Sequence, residues 1–175
     1  DGNRGVVVID PSEDTIQEYR EYAQNLRRLG LKLDSLRDKP AATRDGVAVT
    51  LLGNVEFPDE AKMVREKGGQ GIGLYRTEFL YLYSGTEPTE EDHYQAYAET
   101  VRSFEGKPVV IRTMDLGADK VPHGHKLHEA NPVLGLRSIG YCLQNLPLFK
   151  PQRRGLLRAS VRGGIRSMFP LIGNL

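Results

Sequence analysis

The chain contains only one cysteine, Cys142, so it cannot form an internal disulfide, and this favours a reducing, cytoplasmic environment. It has no apolar run that approaches the ~18 residues needed to cross a membrane as a helix. Residues 1–4 lack the basic head and apolar core of a signal peptide. Because the first residue is not methionine, we expect the chain to be a piece of a longer protein.

The formal net charge is only +1, which argues against a protein that coats nucleic acid. The basic residues are biased towards arginine, with 16 Arg and 8 Lys making up the total of 24. A guanidinium group presents a planar fork that matches carboxylate and phosphate groups, whereas a lysine ammonium is a point charge. We expect most of these arginines to be solvated at the surface, so position must identify those that bind a ligand.

The N-terminal part of the sequence predicts a strand, a helix and a linker. A β-branched run at residues 6–9 predicts the strand. Asp10–Pro11 predicts the helix start, with an acidic N-cap and proline at the first helical position, and apolar residues recur at helical spacing up to about Leu29. Residues 32–46 are charged and contain a proline, as a linker does. We therefore place a domain boundary near residue 45.

Beyond this boundary, strand and helix patterns alternate. The predicted strands are Val47–Leu52, Gly71–Tyr75, Val109–Thr113 and Ile165–Leu171. The predicted helices are Pro58–Lys67, the segment between Thr89 and Gly106, Leu134–Leu146 and Pro147–Ser160. Uninterrupted β-rich strands that alternate with helices predict a parallel sheet covered by helices. Four such strands fit half of an eight-stranded barrel or a small doubly wound sheet, and composition does not distinguish the two.

Three arginines lie where a parallel α/β fold places its ligands. Arg76 directly follows the second strand, and Arg112 lies at the carboxyl end of the third. Arg137 lies in the turn before the next helix or in its first turn. Ligands of such folds bind at the carboxyl ends of the strands. Converging guanidinium groups would bind a compact polyanion through charge-assisted, bidentate hydrogen bonds.

The alternative role for these arginines is structural, because each could pair with a nearby carboxylate. Glu78, Asp115 and Asp119 are close in sequence and could neutralise them. We favour a ligand for Arg76 and Arg112, because they follow adjacent strands.

A group of histidines is the other cluster with possible chemistry. His123, His125 and His128 lie near Glu129 in a predicted loop, and such spacing can bind a transition metal. We favour a polar surface loop, because nothing in the sequence fixes these side chains or supplies partners behind them. Cys142 falls on the apolar side of a predicted helix and is interpreted as a core residue.

Several longer motifs follow one another in a distinctive order. They are Gly-Ile-Gly-Leu-Tyr-Arg-Thr-Glu-Phe-Leu at 71–80, Pro-Thr-Glu-Glu-Asp at 88–92, Ile-Arg-Thr-Met-Asp-Leu-Gly-Ala-Asp-Lys at 111–120, Asn-Pro-Val-Leu-Gly-Leu-Arg at 131–137, Leu-Leu-Arg-Ala-Ser at 156–160 and Met-Phe-Pro at 168–170. Together they resemble the enzyme I family of the bacterial phosphoenolpyruvate:sugar phosphotransferase system, and the resemblance covers nearly the whole chain.

The resemblance implies a fold and an activity for the parent protein. Residues 1–10 would be the last strand of a phosphohistidine domain, and 11–45 a helical linker. Residues 46–175 would form the first half of a (β/α)₈ TIM barrel, about four βα units, that binds phosphoenolpyruvate and Mg²⁺. The parent enzyme, expected to be a homodimer, would transfer the phosphoryl group to its own histidine and then to the carrier HPr in sugar uptake.

The resemblance also limits what this chain can contain. Arg76 and Arg112 match phosphoenolpyruvate-binding arginines of the family, and Arg137 matches a third active-site arginine. The phosphohistidine, the Mg²⁺ carboxylates and the catalytic cysteine have no counterpart here, and Cys142 does not match that cysteine. We therefore predict part of a substrate site, no catalytic residue, no metal ligand and no activity of this chain alone. The alternatives are a fragment of a dikinase or phosphoenolpyruvate synthase, which share the barrel, or a non-catalytic anion-binding module.

Overall fold

A computed structural model describes the following residues of the 175-residue chain: 2, 5–83, 86–116 and 135–173. The chain divides into two compact units, Asp1–Pro40 and Ala41–Leu175. Among the described residues, no helix combines the length and the apolar character needed to cross a membrane. The assignment of the first 45 residues to a neighbouring domain and a linker stays a prediction.

The first unit is built on one helix, α1 (Glu13–Asp34). Ser12 is its N-cap, with extended backbone (φ −65°, ψ 159°), and the Ser12 hydroxyl accepts a hydrogen bond from the Thr15 amide at 3.3 Å. The N-cap predicted at Asp10 is therefore wrong, and Asp10 has a left-handed backbone (φ +51°). The helix also continues beyond Leu29, where the predicted apolar pattern ends, and through Gly30, because a glycine inside a helix costs only about 1 kcal/mol relative to alanine.

The strand predicted at residues 6–9 is wrong. Residues 5–12 contain no strand, and the side chains of Val6–Ile9 are exposed. A strand needs a neighbour to satisfy its backbone groups, and no second strand is present among the described residues of this unit. None of the side chains of α1 is buried within the chain either.

The second unit contains a four-stranded sheet in which all neighbouring strands are parallel. Its strands, in order across the sheet, are β1 (Gly53–Val55), β2 (Ile72–Arg76), β3 (Val109–Arg112) and β4 (Ile165–Met168). Their spatial order is the same as their order in the chain, as in consecutive βα units. The predicted parallel sheet is confirmed, and its closure into an eight-stranded barrel stays a proposal.

The first strand lies later in the chain than predicted. The prediction of Val47–Leu52 is wrong, because β1 begins at Gly53, whose amide donates to the Gly71 carbonyl at 2.9 Å. The preceding segment has a single antiparallel bridge, between Ala42 and Ala48. Its valines and leucines are exposed, so the apolar pattern there does not correspond to a buried strand.

Five described helices belong to this unit. They are α2 (Pro58–Glu66), α3 (Glu78–Tyr83), α4 (Glu90–Arg102), α5 (Ser138–Gln144) and α6 (Leu146–Ser160). Four of them confirm predicted helices, although α5 begins later than expected. Helix α3 was not predicted, because six residues are too few to show a helical period.

Two clusters of buried apolar side chains form the core. The larger cluster joins the sheet to α2, α4 and α6, and includes Val55, Ile72, Tyr97, Ile111 and Leu156. The smaller cluster lies against α3, α5 and α6, and includes Tyr81, Met114, Tyr141, Cys142 and Phe149. Cys142 is therefore a core residue, as predicted. Burial raises the pKa of its thiol to about 12, so the thiol stays protonated at neutral pH.

Helix α4 starts with a capping box formed by Thr89 and Asp92. The Thr89 hydroxyl accepts from the Asp92 amide at 3.2 Å, and the Asp92 carboxylate accepts from the Thr89 amide at 2.8 Å. We expect Thr89→Ala to lower the free energy of unfolding by about 1 kcal/mol, because the cap is lost. Urea unfolding would measure this change. Thr89→Ser keeps the hydroxyl and serves as the control, and an equal loss in both variants would contradict the capping role.

Candidate anion-binding site

Arg76 and Arg112 lie side by side at one edge of the sheet. They are the last residues of β2 and β3, and their Cα atoms are direct partners in the parallel register. This is the carboxyl edge of the strands, where the sequence pattern placed them. The adjacency follows from the parallel pairing, since neighbouring strands that run in the same direction end at the same edge.

Arg112 is held by two carboxylates. Its Nη2 lies 3.0 Å from Glu78 Oε1, and its Nη1 lies 3.0 Å from Asp115 Oδ2. Glu78 Oε1 also accepts from the Asp115 amide at 2.7 Å. The side chains of Arg112 and Glu78 are only 19% and 8% exposed, so these charges interact with little screening by solvent.

Arg137 is joined to the same group through Asp115. Its Nη2 lies 3.1 Å from Asp115 Oδ1, an oxygen that also accepts a hydrogen bond from the Ser138 hydroxyl. Ser138, the first residue of α5, has a left-handed backbone (φ +53°) that non-glycine residues seldom adopt. Its amide donates to the Leu116 carbonyl at 3.1 Å. The start of α5 is thereby attached to the segment that follows β3, and this attachment brings Arg137 to the site.

Arg76 is more exposed and has a different carboxylate partner. Its Nη1 lies 2.8 Å from Glu56 Oε1, and the two side chains are 41% and 30% exposed. Glu56 follows β1, so this ion pair joins the ends of β1 and β2. The amide of Asn54 can be oriented so that its oxygen accepts from Arg76 Nη2 at 3.1 Å while its nitrogen donates to the Leu74 carbonyl at 3.2 Å.

The three arginines are therefore balanced by three carboxylates within the described residues. The local pairing considered for Glu78 and Asp115 is confirmed, whereas Asp119 lies outside the described residues. The guanidinium groups still have unused donors: Arg112 Nε and Arg137 Nε are buried and have no hydrogen-bond partner in the described part of the chain. A buried N–H without an acceptor is unfavourable, so these two nitrogens offset part of the stabilisation that the ion pairs provide.

Three buried polar residues beneath the site were not identified from the sequence. Thr77, His93 and Gln152 are fully buried. Thr77 and Gln152 are hydrogen-bonded at the ends of β2 and β3, and the ring of His93 lies within hydrogen-bond distance of the Tyr81 and Tyr97 hydroxyls. Each is a single polar residue in a helix or turn, and the sequence pattern alone does not distinguish it from a solvated residue. Glu56 was also missed, because the strand before it was predicted too early.

The predicted histidine cluster cannot be placed in this structure. His123, His125, His128 and Glu129 lie outside the described residues, so their interpretation as a polar surface loop stays a prediction. Across residues 5–83, 86–116 and 135–173, no group of three or more His, Cys, Asp or Glu side chains could hold a metal ion.

The chain is similar in sequence to known enzymes. Residues 31–175 match the family described as PEP-utilising enzyme, PEP-binding domain. The phosphoenolpyruvate-protein phosphotransferase of Staphylococcus carnosus (strain TM300) is 44% identical over 176 residues, which cover 100% of this chain and 31% of that protein. The enzyme of the same name from Bacillus subtilis (strain 168) is 42% identical with the same coverage. That from Enterococcus faecalis (strain ATCC 700802 / V583) is 44% identical over 174 residues, or 98% of this chain and 30% of that protein. The chain thus spans less than a third of the length of these relatives.

Proposed function

The chain belongs to the PEP-utilising enzymes, and on this premise we propose that it binds phosphoenolpyruvate (PEP) through Arg76, Arg112 and Arg137. The observation that carries the proposal is the register of β2 and β3, which puts Arg76 beside Arg112 at the edge where such folds bind ligands. Asp115 then links Arg137 to Arg112.

The chemistry of PEP fits this group of side chains. PEP carries a carboxylate and a phosphate, and both match the planar fork of a guanidinium group. Each arginine has five N–H donors, so it can keep its carboxylate partner and still donate to the ligand. The carboxylates hold the arginines in place before the ligand arrives, and such preorganisation favours tight binding of charge.

For the longer protein we propose the activity for which its relatives are named. The phosphoryl group of PEP would pass to a histidine of the same enzyme and then to HPr, in sugar uptake by a cytoplasmic homodimer with a (β/α)₈ barrel. The support is the 42% to 44% identity to phosphoenolpyruvate-protein phosphotransferases and the ordered motifs along the chain. These names favour the phosphotransferase over a dikinase, a synthase or a non-catalytic anion-binding module.

We propose further that this chain does not catalyse the transfer alone and that Mg²⁺ is bound by residues of the longer protein. The support is that the chain covers only 30% to 31% of the length of the relatives. The role of this chain is then to bind and neutralise the anionic substrate, which is a large part of catalysis in phosphoryl transfer.

Calorimetric titration of PEP into the chain tests the proposed site. We expect Arg112→Gln to weaken binding about tenfold or more, because hydrogen bonds between charged groups contribute about 1.5–3 kcal/mol. Arg166→Gln is the control, since Arg166 is an exposed arginine of β4 and none of the ion pairs found for Glu56, Glu78 and Asp115 within the described residues involves it. Its affinity should equal that of the unsubstituted chain.

Two results would contradict the proposal. One is equal affinity for PEP in Arg112→Gln and Arg166→Gln. The other is a folded, unsubstituted chain that takes up no PEP at millimolar concentration. Circular dichroism of each variant shows whether it is folded, and inorganic phosphate shows how much of the affinity comes from the phosphate group alone.

A further inference from the structure

The side-chain amide of Gln152 connects α6 to the ends of two strands. Gln152 Oε1 accepts from the Met114 amide at 3.1 Å. Its Nε2 donates to the Thr77 hydroxyl at 3.0 Å and to the Tyr97 hydroxyl at 3.3 Å. The side chain is fully buried, so these bonds form where water cannot replace them.

The direction of each bond is determined by the donors available. The Met114 backbone N–H can only donate, so the amide oxygen of Gln152 must face it and the amide nitrogen must face Thr77 and Tyr97. The Thr77 hydroxyl accepts from Gln152 and donates its own hydrogen to the Arg112 carbonyl at 3.0 Å. A continuous chain of hydrogen bonds therefore runs from α6 to the backbone of Arg112.

The residues joined by these hydrogen bonds are sequence neighbours of the charged residues of the site. Thr77 lies between Arg76 and Glu78 in the sequence, and Met114 directly precedes Asp115. The main chain from which these charged side chains project is thus fixed by one buried amide on another helix. Elsewhere along the same segment, the Cys142 thiol lies 3.9 Å from the Met114 carbonyl, a weaker contact.

We propose that Gln152 is a positioning residue for the PEP site: it does not touch the ligand, and it sets the separation and orientation of Arg76 and Arg112. This role rests on the proposed function. Binding sites lose affinity when their side chains are displaced by about 1 Å, and a buried amide with three bonds restricts such displacement. The same three bonds would be lost together in Gln152→Met, which keeps an unbranched side chain of similar length.

The test compares Gln152→Met with Leu156→Val, a substitution in the same helix that removes a methylene from the core without touching this hydrogen-bond chain. We expect Gln152→Met to weaken PEP binding about tenfold at a temperature where both variants are folded, and Leu156→Val to leave the affinity unchanged. Amide hydrogen exchange at Met114 should be faster in Gln152→Met alone. Thr77→Val should weaken PEP binding too. In the double variant Thr77→Val with Gln152→Met, the loss of binding free energy should be smaller than the sum of the two single losses, because both residues act through the same series of hydrogen bonds.

The possible outcomes separate this role from the proposed function. No PEP binding by the folded, unsubstituted chain overturns the proposed function. If the unsubstituted chain binds, unchanged affinity in Gln152→Met overturns only the positioning role. Equal weakening in Gln152→Met and Leu156→Val also overturns it, because the effect would then follow from general destabilisation.

Discussion

Lowering the pH from 6.5 to about 4 should reduce the free energy of unfolding of the second unit by about 3 kcal/mol through His93 alone. This residue of α4 is fully buried, and burial lowers the pKa of its imidazole from 6.5 to about 4. Each unit by which the fold lowers the pKa corresponds to about 1.4 kcal/mol of folding free energy. Between these pH values the unfolded chain binds a proton that the folded chain does not, so stability falls as the pH falls.

The hydrogen bonds around His93 explain why its ring is neutral in the fold. Gln152 donates to the Tyr97 hydroxyl, and the same hydroxyl lies 2.9 Å from His93 Nδ1. We assign the Tyr97 hydrogen to this contact, with His93 Nδ1 as the acceptor. The ring hydrogen is then on Nε2, which lies 3.2 Å from the Tyr81 hydroxyl. Protonation would put a second hydrogen on Nδ1, facing the hydrogen of Tyr97. The nearby Asp92 carboxylate favours the protonated form, but desolvation outweighs it.

Urea unfolding at several pH values between 7 and 4 measures the effect. The control is His93→Gln, which keeps one donor and one acceptor but does not titrate. Surface carboxylates with a lowered pKa, such as Asp92 and Glu91, lose stabilisation over part of the same range in both proteins. The difference between the two curves therefore belongs to His93, and equal curves would show that its imidazole is not held neutral by the fold.

The position of the arginines could be predicted because it depends on a general property of parallel sheets. Strands β2 and β3 are nearly continuous in apolar residues, and each ends with an arginine. Parallel pairing brings the ends of both strands to one edge, and the register of Arg76 and Arg112 agrees. Glu78 and Asp115 were considered as partners because they are close in sequence, and both are ion-paired with Arg112.

The features that were not predicted depend on contacts between distant parts of the chain. The apolar residues at 47–52 look like a strand, but the strand ladder with β2 starts only at Gly53. Gln152 and His93 look like exposed helical residues until α4 and α6 are packed together. The packing of the two helices decides which of their polar residues become buried. The sequence pattern of one helix does not show this.

Replacing Gly155 should be among the most destabilising single substitutions in this unit, because α4 and α6 approach each other closely at this residue. A Cβ atom on Gly155 would lie 2.6 Å from His93 Cβ, 3.0 Å from the Tyr94 amide nitrogen and 3.2 Å from the Glu90 carbonyl oxygen. Two of these three atoms belong to the backbone of α4, so no side-chain rotation removes the clash, and the helices must separate.

We expect Gly155→Ala to lower the free energy of unfolding by about 2 kcal/mol and Gly155→Val by about 3 kcal/mol, the range found for overpacked cores. The loss occurs although alanine is the better helix former by about 1 kcal/mol. Gly140→Ala in α5 is the matched control, because within the described part of the chain its Cβ would meet only Leu136 Cδ1, at an ordinary 3.6 Å. This variant should be neutral or slightly stabilised in the same urea experiment. A stabilised Gly155→Ala would mean that α4 and α6 are not in backbone contact, and it would remove the reason for His93 to be buried between them.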